Sequence, residues 1–224
     1  RTSGVLLHIS SLPGDYGIGT LGNSAYQFVD FLVETGQSYW QILPLGTTSY
    51  GDSPYQSFSA FAGNTYFIDF DLLTEDGLLK YTDYKDIDFG QNNKRINYGQ
   101  LFLTKRPILE IAVKNFLERN QLSDYHHFVN ENKAWLNPFA EYMAIKESFN
   151  NEPWYNWDEP IRMRDEDALE EYRSKLTDDI VYHQVTQYFF FRQWELLKNY
   201  ANQNNIQIIG DIPIYVARDS VEMW

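Results

Sequence analysis

The chain has 224 residues, 31 acidic against 18 basic for a net charge of −13, and no cysteine. Disulfides and cysteine-ligated metals are thereby excluded, which fits a reducing cytoplasmic setting. The acidic surplus repels phosphate backbones and argues against a nucleic-acid partner; no apolar run approaches the ~20 residues of a membrane span, so no membrane partner is expected.

Gly4 to His8 reads as a short buried strand. A turn-rich stretch follows, with Pro13, Gly14, Gly17, Gly19 and Gly22. Ala25, Phe28, Val29, Leu32 and Val33 then recur at helical spacing, with Ser24 as the expected N-cap and Gly36 as the stop. Tyr39 to Leu43 is a second strand, ended by Pro44. Strand, helix and strand within about 40 residues predict a βαβ unit with parallel strands. Residues 45–69 are loop-like, ending in the apolar run Tyr66 to Asp69. Residues 70–177 are mostly helical and polar, with helices over Ile108 to Leu117, from an Asn137 cap and Pro138 to about Phe149, and over Leu169 to Leu176. The acidic patch from Asp158 to Glu171 reads as a solvated face. A long helix from about Asp178 to Asn202, apolar on two sides, leads into a third strand, Ile206 to Ile209, and on to Asp211. The expected organisation is therefore three segments. Residues 1–69 carry the first strands and a loop, 70–177 a helical insertion, and 178–224 a helix and the third strand. Closing a (β/α) barrel takes eight strands and typically ~250 residues, so a barrel of this kind would extend past this chain.

Parallel α/β folds place ligands beyond the carboxyl ends of their strands. That rule singles out His8, the loop from Leu43 to Asn64, and Asp211. His8 is either a satisfied core histidine or a site residue; four histidines without a paired spacing argue against a metal. Gly17-Ile-Gly-Thr-Leu-Gly22 matches the letters of a dinucleotide fingerprint. The strand is not adjacent, however, and Tyr39 or Trp40 stands where the ribose-binding acid belongs. The loop Ser49 to Ser57 is rich in hydroxyls and amides, with Pro54 stiffening the approach to Tyr55. It suits either a capped surface loop or a sugar site in which Tyr55 stacks while Ser53 and Gln56 bind hydroxyls. The 38 aromatics (6 Trp, 17 Tyr, 15 Phe) are open to the same two readings. Asp211, at the end of an apolar strand, is expected to be a buried carboxylate needing a partner. One carboxylate is not the acid/base pair that glycosidic chemistry requires.

Several blocks nevertheless resemble one family. Gly4-Val-Leu-Leu-His-Ile-Ser-Ser-Leu-Pro-Gly14 with Tyr16-Gly-Ile-Gly19 is similar to the opening of the 4-α-glucanotransferases of glycoside hydrolase family 77. So are Tyr39-Trp-Gln-Ile-Leu-Pro-Leu45, Gly51-Asp-Ser-Pro-Tyr-Gln-Ser-Phe-Ser-Ala60, Gln187-Tyr188 with Gln193-Trp194, and Ile209-Gly-Asp-Ile-Pro-Ile-Tyr-Val-Ala217 with Asp219-Ser220 and Trp224. The resemblance implies an α/β fold, the N-terminal portion of a (β/α)8 barrel of the α-amylase superfamily with a large helical insertion. It implies retaining transfer of α-1,4-glucan segments between maltooligosaccharides, without metal or organic cofactor. It makes Tyr55 the ring beneath the sugar at the cleavage point, places Ser53 and Gln56 in the same substrate loop, and makes Asp211 a supporting acid. The family's nucleophile and acid/base motifs do not occur in these residues, so the resemblance implies an N-terminal part whose partner is the C-terminal remainder of the barrel. A glucan-binding fragment without catalysis and a related retaining hydrolase are the alternatives.

Overall fold

Three short strands, β1 (Gly4–Leu6), β2 (Tyr39–Gln41) and β3 (Gln207–Ile209), form a parallel sheet in that order in this computed structural model, which describes residues 2–48, 51–90 and 94–224. Val5 pairs with Trp40 and Trp40 with Ile208. Trp40 is fully buried, and its indole N–H donates to the Leu7 carbonyl at 2.7 Å, so the ring costs no unsatisfied donor. The first strand is shorter than its apolar run suggests. Leu7 still donates to the Gln41 carbonyl at 3.0 Å, but His8 precedes a 3₁₀ turn over Ile9–Ser11.

The helices are α1 (Asn23–Glu34), α2 (Phe70–Glu75), α3 (Tyr98–Leu117), α4 (Ser123–Ser148), α5 (Glu159–Arg162), α6 (Glu166–Lys175) and α7 (Thr177–Gln203). Helix α1 starts two residues earlier than expected: Gly22, not Ser24, is its N-cap. Only a glycine fits there, because a Cβ would lie 2.0 Å from the Asp69 carboxylate. The largest departures concern proline. Helix α3 reaches back past Pro107 to Asn97, whose side chain caps it by accepting from Gln100 N–H at 3.1 Å. Helix α4 begins at Ser123, so Pro138 lies in its interior and not at its first turn. An interior proline costs roughly 3 kcal/mol. Burial of Tyr125, Leu136, Phe139, Ala140 and Tyr142 along the same helix outweighs that penalty. Asn137 is no cap either: its side-chain oxygen accepts from Gln184 Nε2 at 3.0 Å. The acidic residues from Asp158 to Glu171 are all exposed, as a solvated face requires.

The chain forms two compact units, one made of Arg1–Leu45, Asn64–Asn120 and Phe189–Ile212, the other of Gly46–Gly63, Gln121–Tyr188 and Pro213–Trp224. The first holds the sheet and an aromatic core in which Tyr16 meets Phe70, Tyr84 and Phe89 at centroid distances of 5.1–5.8 Å. The second packs Tyr142, Trp157 and Trp224 together at 5.4–5.7 Å. Such pairs contribute about 0.5–1.5 kcal/mol each beyond area burial, and a good share of the aromatic surplus is spent on them.

Candidate functional site

The first unit presents His8 just beyond β1 and Asp211 two residues beyond β3. His8 is buried, with its ring edge-on to Phe67 at 5.5 Å, and burial lowers its pKa to about 4. The imidazole is therefore neutral at physiological pH, and its Nδ1 finds no hydrogen-bond partner among the described residues. Asp211 departs from expectation. Its carboxylate is exposed, because Gly210 ends the strand and the chain leaves the sheet; Oδ1 accepts from the Ile212 N–H at 2.8 Å. Ile212, Ile214 and Tyr215, which follow it in the chain, are 77–88% exposed.

The glycines that spell a dinucleotide fingerprint have another use. A Cβ at Gly17 would sit 2.3 Å from the Phe89 carbonyl, and one at Gly19 would sit 1.9 Å from the Ile9 carbonyl. With Gly22 against Asp69, all three face neighbouring protein atoms, so these glycines serve close chain packing and not a phosphate cradle. Asp69 itself is buried. It accepts from the Thr20 hydroxyl at 2.5 Å and caps α2 through the Leu72 N–H at 3.1 Å. Nearby, Lys105 is fully buried, donates to the Tyr66 carbonyl at 2.7 Å and lies 4.8 Å above the Phe70 ring. Desolvation lowers its pKa to about 7 despite the opposing field of Asp69.

The second unit carries the loop with Tyr55; Ser49 and Tyr50 of that loop lie outside the described residues. Ser53 to Gln56 is a β-turn, closed by Gln56 N–H donating to the Ser53 carbonyl at 3.1 Å, with Pro54 at the position whose fixed φ suits it. The Ser53 hydroxyl accepts from the Tyr55 N–H at 3.3 Å. Tyr55 is 45% exposed, so one turn holds Ser53, Tyr55 and Gln56 together and leaves a ring accessible. The next residues are tightly tied. Ser57 Oγ lies 2.9 Å from Thr47 Oγ1 and donates to the Ser59 carbonyl at 2.7 Å, and Phe58 N–H donates to Thr47 Oγ1 at 3.2 Å. Gly46 and Gly63 form an antiparallel bridge at the neck of the loop. There Gln187 grips Gly63 from both sides, accepting from its N–H at 2.8 Å and donating to its carbonyl at 2.9 Å.

Asp219, half-buried, is the acceptor of the buried Lys146. Lys146 Nζ lies 2.6 Å from Asp219 Oδ2, while Tyr142 Oη donates to Oδ1 at 2.7 Å and Trp154 N–H at 3.3 Å. Its only sequence signal is a lysine and a tyrosine four apart on one helix, which names no acid partner 73 residues away. Among the described residues no group of three His, Cys, Asp or Glu is placed to hold a metal ion, and no helix is long and apolar enough to cross a membrane.

The chain resembles known proteins over its whole length. The signature of the 4-alpha-glucanotransferases, glycoside hydrolase family 77, matches residues 7–224. A 4-alpha-glucanotransferase of Streptococcus pneumoniae is 60% identical over 225 aligned residues, covering all of this chain and 45% of that enzyme. The Thermus thermophilus enzyme of the same name is 48% identical, with all of the chain and 44% of the relative covered. The chain thus spans slightly under half the length of these relatives. Amylomaltase from Streptococcus agalactiae, solved in complex with acarbose, superposes with a TM-score of 0.97 at 59% identity, covering the whole chain and 46% of that structure. Amylomaltase from Corynebacterium glutamicum shares the fold at a TM-score of 0.72 and 18% identity, covering 99% of the chain and 31% of its own. The architecture is thus the α/β fold of an amylomaltase N-terminal portion.

Proposed function

The chain belongs to the 4-alpha-glucanotransferase family, and from that premise we propose that it is the N-terminal part of an enzyme moving α-1,4-glucan segments between maltooligosaccharides with retention of configuration. The observation that carries this reading is 60% identity to a 4-alpha-glucanotransferase over the full chain. In the reaction a carboxylate attacks the anomeric carbon and a second acid protonates the departing oxygen. The 4-hydroxyl of an acceptor glucan then displaces the enzyme carboxylate. Both of these acids would come from sequence outside this chain. Within it, Tyr55 would stack beneath the sugar at the cleavage point, with Ser53 and Gln56 in the same loop. His8 would line the site as a neutral imidazole, and Asp211 would serve as a supporting acid.

The same reading makes the three strands the start of a (β/α)8 barrel, with residues 70–177 as a helical insertion between 1–69 and 178–224. The position of β3 at the end of the three-stranded sheet, with Ile209 exposed, supports it, because such an edge is suited to be covered by further strands. The acarbose bound to the Streptococcus agalactiae relative supports a glucan as the ligand. On the same reading the enzyme would act in starch and maltodextrin metabolism in the cytoplasm, a location with which the cysteine-free composition is compatible. The test is incubation of the full-length protein with maltotriose. Glucose together with longer maltodextrins is the expected outcome; release of shorter sugars alone would assign a hydrolase, and binding without turnover a glucan-binding protein.

A further inference from the structure

The segment after β3 returns to the Tyr55 loop through one side chain and one backbone N–H. Glu222 Oε1 accepts from the Ser59 hydroxyl at 3.0 Å and from the Ala60 N–H at 2.8 Å. Beside it the Val221 N–H donates to the Phe58 carbonyl at 2.9 Å. Ser59 is buried and acts as a hub: its Oγ also accepts from the Phe61 N–H at 3.1 Å, and its carbonyl accepts from Ser57 Oγ at 2.7 Å. Ser57 follows Tyr55 by two residues, so what fixes Ser57 to Ser59 limits where the Tyr55 ring can sit.

Glu222 is itself held on both sides. Before it, Asp219 is anchored to α4 by Lys146 at 2.6 Å and Tyr142 at 2.7 Å. After it, the Trp224 ring lies against Tyr142 and Trp157, with its indole N–H donating to the Ile161 carbonyl at 3.2 Å. A short turn closes the segment, with Met223 and Trp224 N–H groups both reaching the Ser220 carbonyl. Rigid supports on either side of one charged acceptor make an effective brace, since hydrogen bonds to a carboxylate are roughly twice as strong as neutral ones. Near a bound sugar, a misplacement of ~1 Å can cost about 100-fold in rate.

We propose that Glu222 is a positioning residue for Tyr55, bracing the 57–61 turn from the α4-anchored segment after β3, a role that rests on the Tyr55 assignment made above. It touches no substrate and acts only through the loop it holds.

The test is a double-mutant cycle in the full-length protein, following kcat and KM for maltotriose disproportionation alongside the thermal midpoint. Glu222→Ala is expected to lower kcat/KM about 10- to 100-fold at a temperature where the protein stays folded. Glu222→Gln, whose amide oxygen can still accept both bonds, is expected to stay within about threefold of wild type. Tyr55→Ala with Glu222→Ala together is expected to be no worse than Tyr55→Ala alone, because a brace has nothing left to position. Multiplying losses in the double variant overturn the inference. So does an unchanged kcat/KM in Glu222→Ala, or a loss that only follows the folded fraction. A wild-type protein that leaves maltotriose unconverted, or an unaffected Tyr55→Ala, refutes the functional reading instead and removes the inference with it.

Discussion

Replacing Asp219 by alanine should destabilise the fold far more than removing its partner, Lys146. The Lys146 side chain is 2% exposed and the Asp219 side chain 23%. Without Asp219 the buried ammonium keeps, among the described residues, the Glu152 carbonyl at 3.1 Å and the Phe58 ring at 5.1 Å. Stranding a buried charge in this way costs about 3–5 kcal/mol. Tyr142, fully buried, also loses the acceptor of its hydroxyl, at about 1–2 kcal/mol. The terms overlap, so about 4 kcal/mol is expected for Asp219→Ala. Lys146→Met removes the charge that needed a partner. It leaves Asp219 partly solvated and still accepting from Tyr142 and the Trp154 N–H, so the loss should be about 1–2 kcal/mol. Asp219→Ala made on top of Lys146→Met should then cost only the hydrogen bonds from Tyr142 and the Trp154 N–H, about 1–2 kcal/mol. Urea unfolding of wild type, both single variants and the double variant reads these differences. Equal costs for the two single variants, or full additivity in the double, would refute the argument that an unpaired buried ammonium dominates.

Three further outcomes are expected. Gln193→Met leaves the Asp69 N–H and carbonyl without their partners at 2.8 and 3.0 Å; a loss of about 2–4 kcal/mol in urea unfolding and faster amide exchange at Asp69 are expected, and unchanged exchange would contradict the clamp. Gly19→Ala places a Cβ 1.9 Å from the Ile9 carbonyl, whereas Gly36→Ala meets nothing within 4 Å and only pays for its φ of 68°; the first should cost at least about 3 kcal/mol and the second about 1 kcal/mol by thermal or urea unfolding. Lys105 has its folded pKa lowered from 10.5 to about 7, so the unfolded chain binds the extra proton between those values; stability from this group is lowest below pH 7 and rises as pH increases toward 10.5, and Lys105→Met should flatten that rise in a pH series of unfolding measurements.

Much of the fold was legible because it is written locally. The α1 stripe, the short β-branched or aromatic strands, and the two-sided apolar pattern of α7 each report a neighbour relation within a few residues. The Tyr55 turn was legible for the same reason, since Pro54 and Ser53 act on the next residue. The extent of α3 and α4 was not. Pro138 looks like a helix start and the expected stripe of α3 begins only at Ile108, and only the burial of the flanking turns decides that the helices run through Pro107 and Pro138. Asp211 misled in the opposite direction. Its apolar strand suggests burial, yet the chain leaves the sheet at Gly210 and the carboxylate faces solvent.

By itself the sequence determined the parallel strand–helix grammar, the acidic, cysteine-free character of the chain and, through its contiguous blocks, its family. The tertiary structure alone decided what each polar side chain inside those blocks is for. Gln187 and Gln193 each grip a backbone 124 residues away, and Asp219 pairs with a lysine 73 residues away. The fingerprint glycines make room for Phe89, Ile9 and Asp69. Periodicity and propensity register interactions among chain neighbours, whereas a buried hydrogen bond or ion pair forms only after the fold has brought its two ends together. No short-range pattern can name that partner in advance.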